Sequence, residues 1–167
     1  MENLNKPTLL KDRQPVNDDP WHWVSDDQAV TDYAVISLSR WNDNKEALKA
    51  QAEAGKLALQ LSSEETADQL ADEADNFALI CIDFPKFADG RGYSTARLLR
   101  ERYGYNGELR ATGDVLVDQL FFMQRCGFSS FALRSDQDVD DALAAFATFS
   151  VCYQNDVNDP RPLYRRR

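Results

Sequence analysis

Acidic residues stand where apolar, β-rich runs of this 167-residue sequence end. Asp83 closes one such run, and Asp114 follows the next run along the chain. Two carboxylates at neighbouring strand ends can act as an acid/base pair or help to hold a magnesium ion. Because two carboxylates alone do not specify a metal site, we keep Asp83 and Asp114 as candidate catalytic residues and predict no resident metal.

Basic and hydroxyl side chains recur at the same kind of position, namely Arg40, Lys86, Arg91, Ser94, Arg110 and Arg134. If the runs are parallel strands, their carboxyl ends meet at one edge of a sheet, where ligands of such folds bind. These residues would then line a strand-end rim that suits a small anion such as sulfite, sulfate or phosphate. The alternative is that the arginines form structural ion pairs with Asp83, Asp89 and Asp114.

The segment from Asp89 to Thr95 follows a predicted strand and precedes a predicted helix, as a dinucleotide-binding loop does. Thr95 stands where the third glycine of that fingerprint belongs, and no lysine follows as in a phosphate-binding P-loop. We therefore interpret Gly90 and Gly92 as hinges of a flexible loop over the rim. The simpler alternative is a turn that needs two permissive residues.

The elements that must position these side chains alternate along the chain. Strands are predicted over residues 34–38, 57–61, 77–84, 108–112 and 130–133. Each strand is followed by a predicted helix. The first covers 45–56 with a cap at Asn42, and the second begins at a Ser62–Glu65 capping box. The third covers 94–103, the fourth covers 115–125, and the last runs from Asp136 or Asp138 to Phe149. Five consecutive strand–helix units predict an α/β fold with a parallel sheet. The architecture is a partial (β/α) barrel-like arc with sequential strand order, or alternatively an open doubly wound sheet.

The predicted boundaries are an irregular N-terminal arm over 1–32, an α/β domain over 33–154 and a basic tail over 155–167. Trp21 and Trp23 are expected to anchor the arm on the domain, with the single histidine, His22, as a surface residue between them.

Composition limits the function classes. A net charge of −9 disfavours nucleic-acid binding, and no apolar stretch approaches the ~20 residues that span a bilayer. The polar N-terminus lacks the apolar core of a signal peptide, so the predicted location is cytoplasmic. The cysteines Cys81, Cys126 and Cys152 form no C-x-x-C pair, and the first two read as small buried hydrophobic residues.

Several short segments of the sequence are distinctive. They are DFPKFADGRGYS at 83–94, LRATGDVL at 109–116, DQ at 118–119, RCGF at 125–128, FSV at 149–151 and YQ at 153–154. Together they resemble the bacterial family of domains of unknown function nine-three-four, over roughly residues 30–165. The resemblance implies an oxidoreductase or an accessory protein in sulfite reduction, with genes beside that of the sulfite reductase haemoprotein. It brings no catalytic residues with it.

The resulting expectation is an accessory or regulatory protein of assimilatory sulfite reduction, within sulfate assimilation and cysteine biosynthesis. It would bind a small sulfur oxyanion or the sulfite reductase haemoprotein, through its acidic faces or through Arg165–Arg167. One alternative is an oxidoreductase with a borrowed nicotinamide or flavin cofactor. Another is a non-catalytic homodimeric scaffold.

Overall fold

An eight-stranded mixed sheet, curled into a half-barrel, organises the protein. The computed structural model describes residues 8–166; the predictions for residues 1–7 and for Arg167 lie outside the described residues. The strands are β1 (Thr8–Lys11), β2 (Gln14–Val16), β3 (His22–Trp23), β4 (Ala34–Ser37), β5 (Leu57–Leu61), β6 (Leu79–Phe84), β7 (Glu108–Gly113) and β8 (Ser130–Leu133). Their order across the sheet is β2-β1-β8-β7-β6-β5-β4-β3.

The five strands predicted from the sequence are β4 to β8. They lie side by side in chain order, and each is parallel to the next. The longest register, between β6 and β7, aligns Ile82 with Ala111 and Asp83 with Thr112. A doubly wound sheet reverses its strand order at a switch point. The sequential order therefore agrees with the predicted barrel-like arc and not with the open doubly wound alternative.

The prediction of a purely parallel sheet is wrong, and the arm contributes three short strands to the sheet. Strand β1 pairs antiparallel with β8 and with β2, and the short β3 pairs with β4 at the opposite edge. The β1–β2 turn places Asp12 and Arg13 at φ 50° and 60° without a glycine, so the usual hairpin signal is missing from the sequence. The arm supplies these strands because an arc of strands has two open edges that need partners.

The helices differ from prediction mainly at their ends. They are α1 (Leu38–Glu53), α2 (Arg91–Glu101), α3 (Leu120–Arg125) and α4 (Val139–Ala145). Helix α1 begins after Ser37, whose hydroxyl accepts a hydrogen bond from the Arg40 amide, and not at Asn42. Helix α2 begins after Gly90 and not at Ser94. Asp138 caps α4, as one of the two predicted starts, but the helix ends before Phe149.

Between β5 and β6 the chain forms two 3-10 turns, Ala67–Gln69 and Ala71–Asn76, in place of the predicted helix. Ala71 adopts a φ of 40°, which a continuous right-handed helix does not allow. The α3 unit likewise opens with a 3-10 turn, Val117–Gln119. The predicted series of five strand–helix units is therefore only partly built from α-helices.

The two faces of the sheet have different coverings. Alternate side chains such as Ile36, Leu59 and Ile82 pack under the helices in the main core, together with the buried Trp41. The opposite face, called the inner face below, carries a smaller apolar cluster of Val35, Ala58, Leu79 and Cys81. Trp21 of the arm packs against that cluster. Among residues 8–166, no helix is both long enough and apolar enough to cross a membrane.

Candidate functional site

The carboxyl ends of the parallel strands bring the predicted rim together in part. Asp83 is the penultimate residue of β6, Asp114 directly follows β7, and Arg134 directly follows β8. Because these three strands are adjacent and parallel, their ends lie at one edge of the sheet.

Arg134 is bound to carboxylates on both sides. Its Nη1 lies 2.6 Å from Oδ1 of Asp114, and its Nε lies 2.6 Å from Oδ1 of Asp136. These ion pairs raise the pKa of Arg134, and the hydrogen bonds from Arg134 lower the pKa of Asp136 to about 2. The second oxygen of Asp114 accepts a hydrogen bond from the Phe87 amide at 2.9 Å. Arg134 and Asp114 therefore tie the ends of β7 and β8 to the β6–α2 loop.

Arg91 is also engaged by acidic residues. Its Nη2 lies 2.7 Å from Oδ2 of Asp89 and donates a 3.0 Å hydrogen bond to Oγ of Ser63. Nη1 lies 3.8 Å from Glu64. The hydrogen bonds from Arg91 hold the pKa of Asp89 well below its usual range. Arg91–Asp89 and Arg134–Asp114 are therefore structural ion pairs, as the alternative interpretation of the sequence predicted.

Arg40 follows the carboxyl end of β4 but is engaged by backbone carbonyls of the chain itself. It lies in the first turn of α1 and donates hydrogen bonds to the backbone carbonyls of Ser25 and Gln28, which holds the loop before β4. Lys86 and Ser94 are exposed, Lys86 on the β6–α2 loop and Ser94 inside α2.

Arg110 lies in the middle of β7 on the inner face and is 1% exposed. Its Nη1 and Nη2 donate to the two carboxylate oxygens of Asp19, at 2.7 and 3.1 Å. Nη2 also donates to Oε1 of Glu108 at 2.8 Å. Arg110 is therefore a buried ion-pair residue beneath the arm, away from the strand ends.

Asp83 remains as the rim carboxylate with an unusual environment. Burial raises its pKa, against the lowering effect of a hydrogen bond with Thr112. It faces a cavity of about 280 Å³ that is also lined by Trp23, Gln60, Ser62 and Glu65. Since Asp114 is committed to Arg134 and Phe87, the structure does not show the two carboxylates as a working pair.

Comparison with known families matches residues 58–164, more than half of the chain, to the model described as bacterial protein of unknown function (DUF934). The chain belongs to the DUF934 family. Neither the curated proteins nor the solved structures contain a significant match. That description names no activity and no functional residues, so the roles of residues in this DUF934 protein follow from the geometry of the site.

The loop glycines of this DUF934 protein, predicted as hinges, lie at the start of α2. Gly90 has a φ of −91°, and Gly92 lies inside α2. A Cβ atom on Gly92 would stand 2.7 Å from Cζ of Phe84, so this glycine permits close packing of α2 on β6. The glycine that the rim requires is Gly113, which has a φ of +87° and whose Cβ would lie 2.6 Å from Oδ1 of Asp83.

Two of the three thiols of the DUF934 protein, those of Cys81 and Cys126, are buried, whereas Cys152 is partly exposed. Burial raises the pKa of Cys81 to about 12 and that of Cys126 to about 11, so both favour the unreactive thiol form. Within the described chain, no group of three or more His, Cys, Asp or Glu side chains could hold a metal ion.

Sequence reasoning missed the arm as a contributor to the site. Trp23 donates a hydrogen bond from Nε1 to Oε1 of Gln60, and Asp19 reaches Arg110 across the inner face. The Trp-His-Trp pattern indicated that the arm is anchored, but nothing in the spacing of Asp19 and Arg110 signals that they meet.

Proposed function

We propose that this protein is a cytoplasmic accessory or regulatory protein of assimilatory sulfite reduction that acts by binding the sulfite reductase haemoprotein. The connection to sulfite reduction comes from the family resemblance. The binding role rests on one observation: large apolar and aromatic side chains are exposed together near the C-terminus.

The exposed residues form what we call the C-terminal aromatic surface, consisting of Phe149, Val151, Tyr153 and Tyr164. Their exposed fractions run from 61% for Phe149 to 84% for Tyr153. Tyr153 and Tyr164 line one cavity together, and Phe149 and Val151 line the adjoining groove of about 1020 Å³. The Arg165 guanidinium lies 5.7 Å from the centre of the Tyr164 ring. Aromatic residues and arginine are the types enriched in protein interfaces.

The charge pairs at the rim support binding rather than catalysis. An oxyanion that entered there would have to displace Asp89 from Arg91, or Asp114 and Asp136 from Arg134. Each displaced carboxylate is attached to the same edge and competes at high effective concentration. Free sulfite would therefore bind the strand-end rim only weakly while these ion pairs are closed.

One observation favours the second candidate function, an oxidoreductase that borrows a nicotinamide or flavin. Asp83 lies in a cavity that also contains an indole and polar side chains, and burial raises its pKa, which is the direction that a proton donor requires. In that role Asp83 would deliver a proton to a substrate held at the strand ends. The Asp83→Asn variant would then lose activity without losing partner binding.

The test is capture of the haemoprotein by the tagged protein from its own cells grown under sulfate limitation, followed by absorbance spectra of the complex. The double variant Y153A/Y164A changes two side chains that are 84% and 73% exposed, so the fold should survive. The matched control is Phe87→Ala, which removes an aromatic ring that is 53% exposed on the β6–α2 loop. We expect capture by the wild type and by F87A, and its loss in Y153A/Y164A.

Failure of the wild type to capture the haemoprotein would overturn the proposal. A flavin or nicotinamide spectrum in the purified protein would favour the oxidoreductase instead. Light scattering of the free protein tests the homodimeric scaffold: a dimer that Y153A/Y164A converts to a monomer would assign the surface to a second copy.

A further inference from the structure

A buried guanidinium on the inner face is closed off by a carboxylate from the arm. Arg110 is 1% exposed, whereas Asp19 belongs to a part of the arm, residues 17–21, that has no regular secondary structure. The two terminal nitrogens of Arg110 donate hydrogen bonds to the two carboxylate oxygens of Asp19, at 2.7 and 3.1 Å. This two-pronged geometry is the one by which arginine binds carboxylates and other oxyanions.

The other partners of Arg110 belong to the sheet. Glu108 of the same strand accepts hydrogen bonds from Nε and Nη2 of Arg110, and also from Ser130 on β8 at 2.6 Å. Lys11 of β1 pairs with the second oxygen of Glu108 at 2.6 Å. Without Asp19, two cations would face one carboxylate, and the outer end of the guanidinium would be unpaired. The site therefore requires an anion, and only its arm side can exchange one for another.

Space for such an anion adjoins the ion pair. A cavity of about 220 Å³ is lined by Arg110, Asp19 and mostly apolar side chains, which include Leu9, Trp21, Trp23 and Ala132. Apolar walls exclude water and strengthen the attraction between a guanidinium and an anion. A cavity of this volume suits an anion of a few heavy atoms and is smaller than typical pockets for drug-sized ligands.

We propose that Arg110 is a binding site for a small oxyanion that presents two oxygens side by side, and that Asp19 is its built-in occupant. Binding exchanges the Asp19 carboxylate for the external anion and frees residues 17–21 from the inner face. Asp19 thus sets the affinity of the site, because the anion binds only the fraction of molecules in which the arm is open. The site rests on its geometry alone; only the choice of sulfite as the first probe rests on the proposed function.

The experiment compares Asp19→Asn with Asp18→Asn by calorimetric titration with sodium sulfite, sulfate, phosphate and acetate at constant ionic strength. Both variants lose one negative charge from neighbouring positions, but only Asp19 contacts Arg110, while Asp18 is exposed. We expect D19N to bind at least one of these anions about tenfold or more tightly than D18N and the wild type. The emission of Trp21 and Trp23 should change with the same midpoint, whereas Trp41 is buried in the main core and acts as a constant background.

The double variant D19N/R110K keeps a cation beside Glu108 but removes the guanidinium that can bind two oxygens at once. It should therefore lose the gain in anion affinity that D19N shows. Equal affinities of D19N, D18N and the wild type for all four anions would overturn the proposal. So would a gain that survives in D19N/R110K. Capture of the haemoprotein by D19N, measured on the same preparation, reports on the proposed function separately, so that failure of one does not hide failure of the other.

Discussion

Gly92 and Phe84 approach so closely that a Cβ atom on the glycine would lie 2.7 Å from Cζ of the ring and 3.0 Å from Cγ2 of Ile82. The first turn of α2 therefore rests directly on β6, next to the strand end that carries Asp83. This contact fixes the position of the β6–α2 loop and explains the glycine without any backbone mobility.

Replacing Gly92 by alanine should destabilise the protein by about 1–3 kcal/mol, because the methyl group overpacks a buried contact. The better helix propensity of alanine offsets part of that cost. Gly90→Ala is the control, since a Cβ there finds its nearest neighbour at 3.7 Å. Urea unfolding measures both. If G92A lowers the free energy of unfolding no more than G90A does, the close contact between Gly92 and Phe84 does not matter for stability.

The stability of the protein should depend on pH through Asp83. Its pKa in the folded state is raised above the ordinary value of 3.8, so the folded protein holds this proton more tightly than the unfolded chain does. Its contribution to stability is therefore largest below pH 3.8 and is lost as the pH rises through the folded-state pKa.

Asp83→Asn removes this titration. We expect the stability of D83N relative to the wild type to increase as the pH rises from about 3.5 to 7, a range that spans the ordinary pKa of an aspartate. Urea midpoints across that range would measure the trend. A constant difference between the two proteins would contradict a raised pKa.

Asp114 should prove to be a structural anchor of the β6–α2 loop. Asp114→Ala removes the acceptor of the Phe87 amide and one partner of Arg134, so it should cost about 1–3 kcal/mol and speed hydrogen exchange at the Phe87 amide. Asp136→Ala removes the other partner of Arg134 but leaves the Phe87 bond in place. An effect of D136A on the Phe87 amide equal to that of D114A would rule out this assignment.

The cysteines should react in an order set by burial. Cys81 and Cys126 are buried with raised pKa values of about 12 and about 11, whereas Cys152 is partly exposed. Iodoacetamide at pH 8 should therefore modify Cys152 in the native protein and reach the other two only after unfolding. Peptide mass spectrometry follows the order, and rapid native labelling of Cys81 would show that the inner face opens.

Sequence alone determined the central strands but left their order open between a barrel-like arc and a doubly wound sheet, and the folded chain decided for the sequential order. Runs such as residues 77–84 are apolar nearly throughout, which is the signature of a strand buried on both faces. Short right-handed crossovers then leave few topologies, and sequential order is one of them. The same local logic located Asp83, Asp114 and Arg134 at strand ends.

Tertiary structure decided what those residues do. Whether Arg134 binds a ligand or Asp114 depends on distances of a few ångströms, which strand order does not fix. Because side chains alternate along a strand, the sequence of β7 puts Arg110 on the other face of the sheet from Leu109 and Ala111. Only the folded chain shows which segment covers Arg110 on that face. The arm pairs β1 with β8 and carries Asp19 to Arg110 across the length of the sequence. Such contacts leave no local pattern, because they arise from closing the edges and the inner face of the sheet, and that closure exists only once the core has formed.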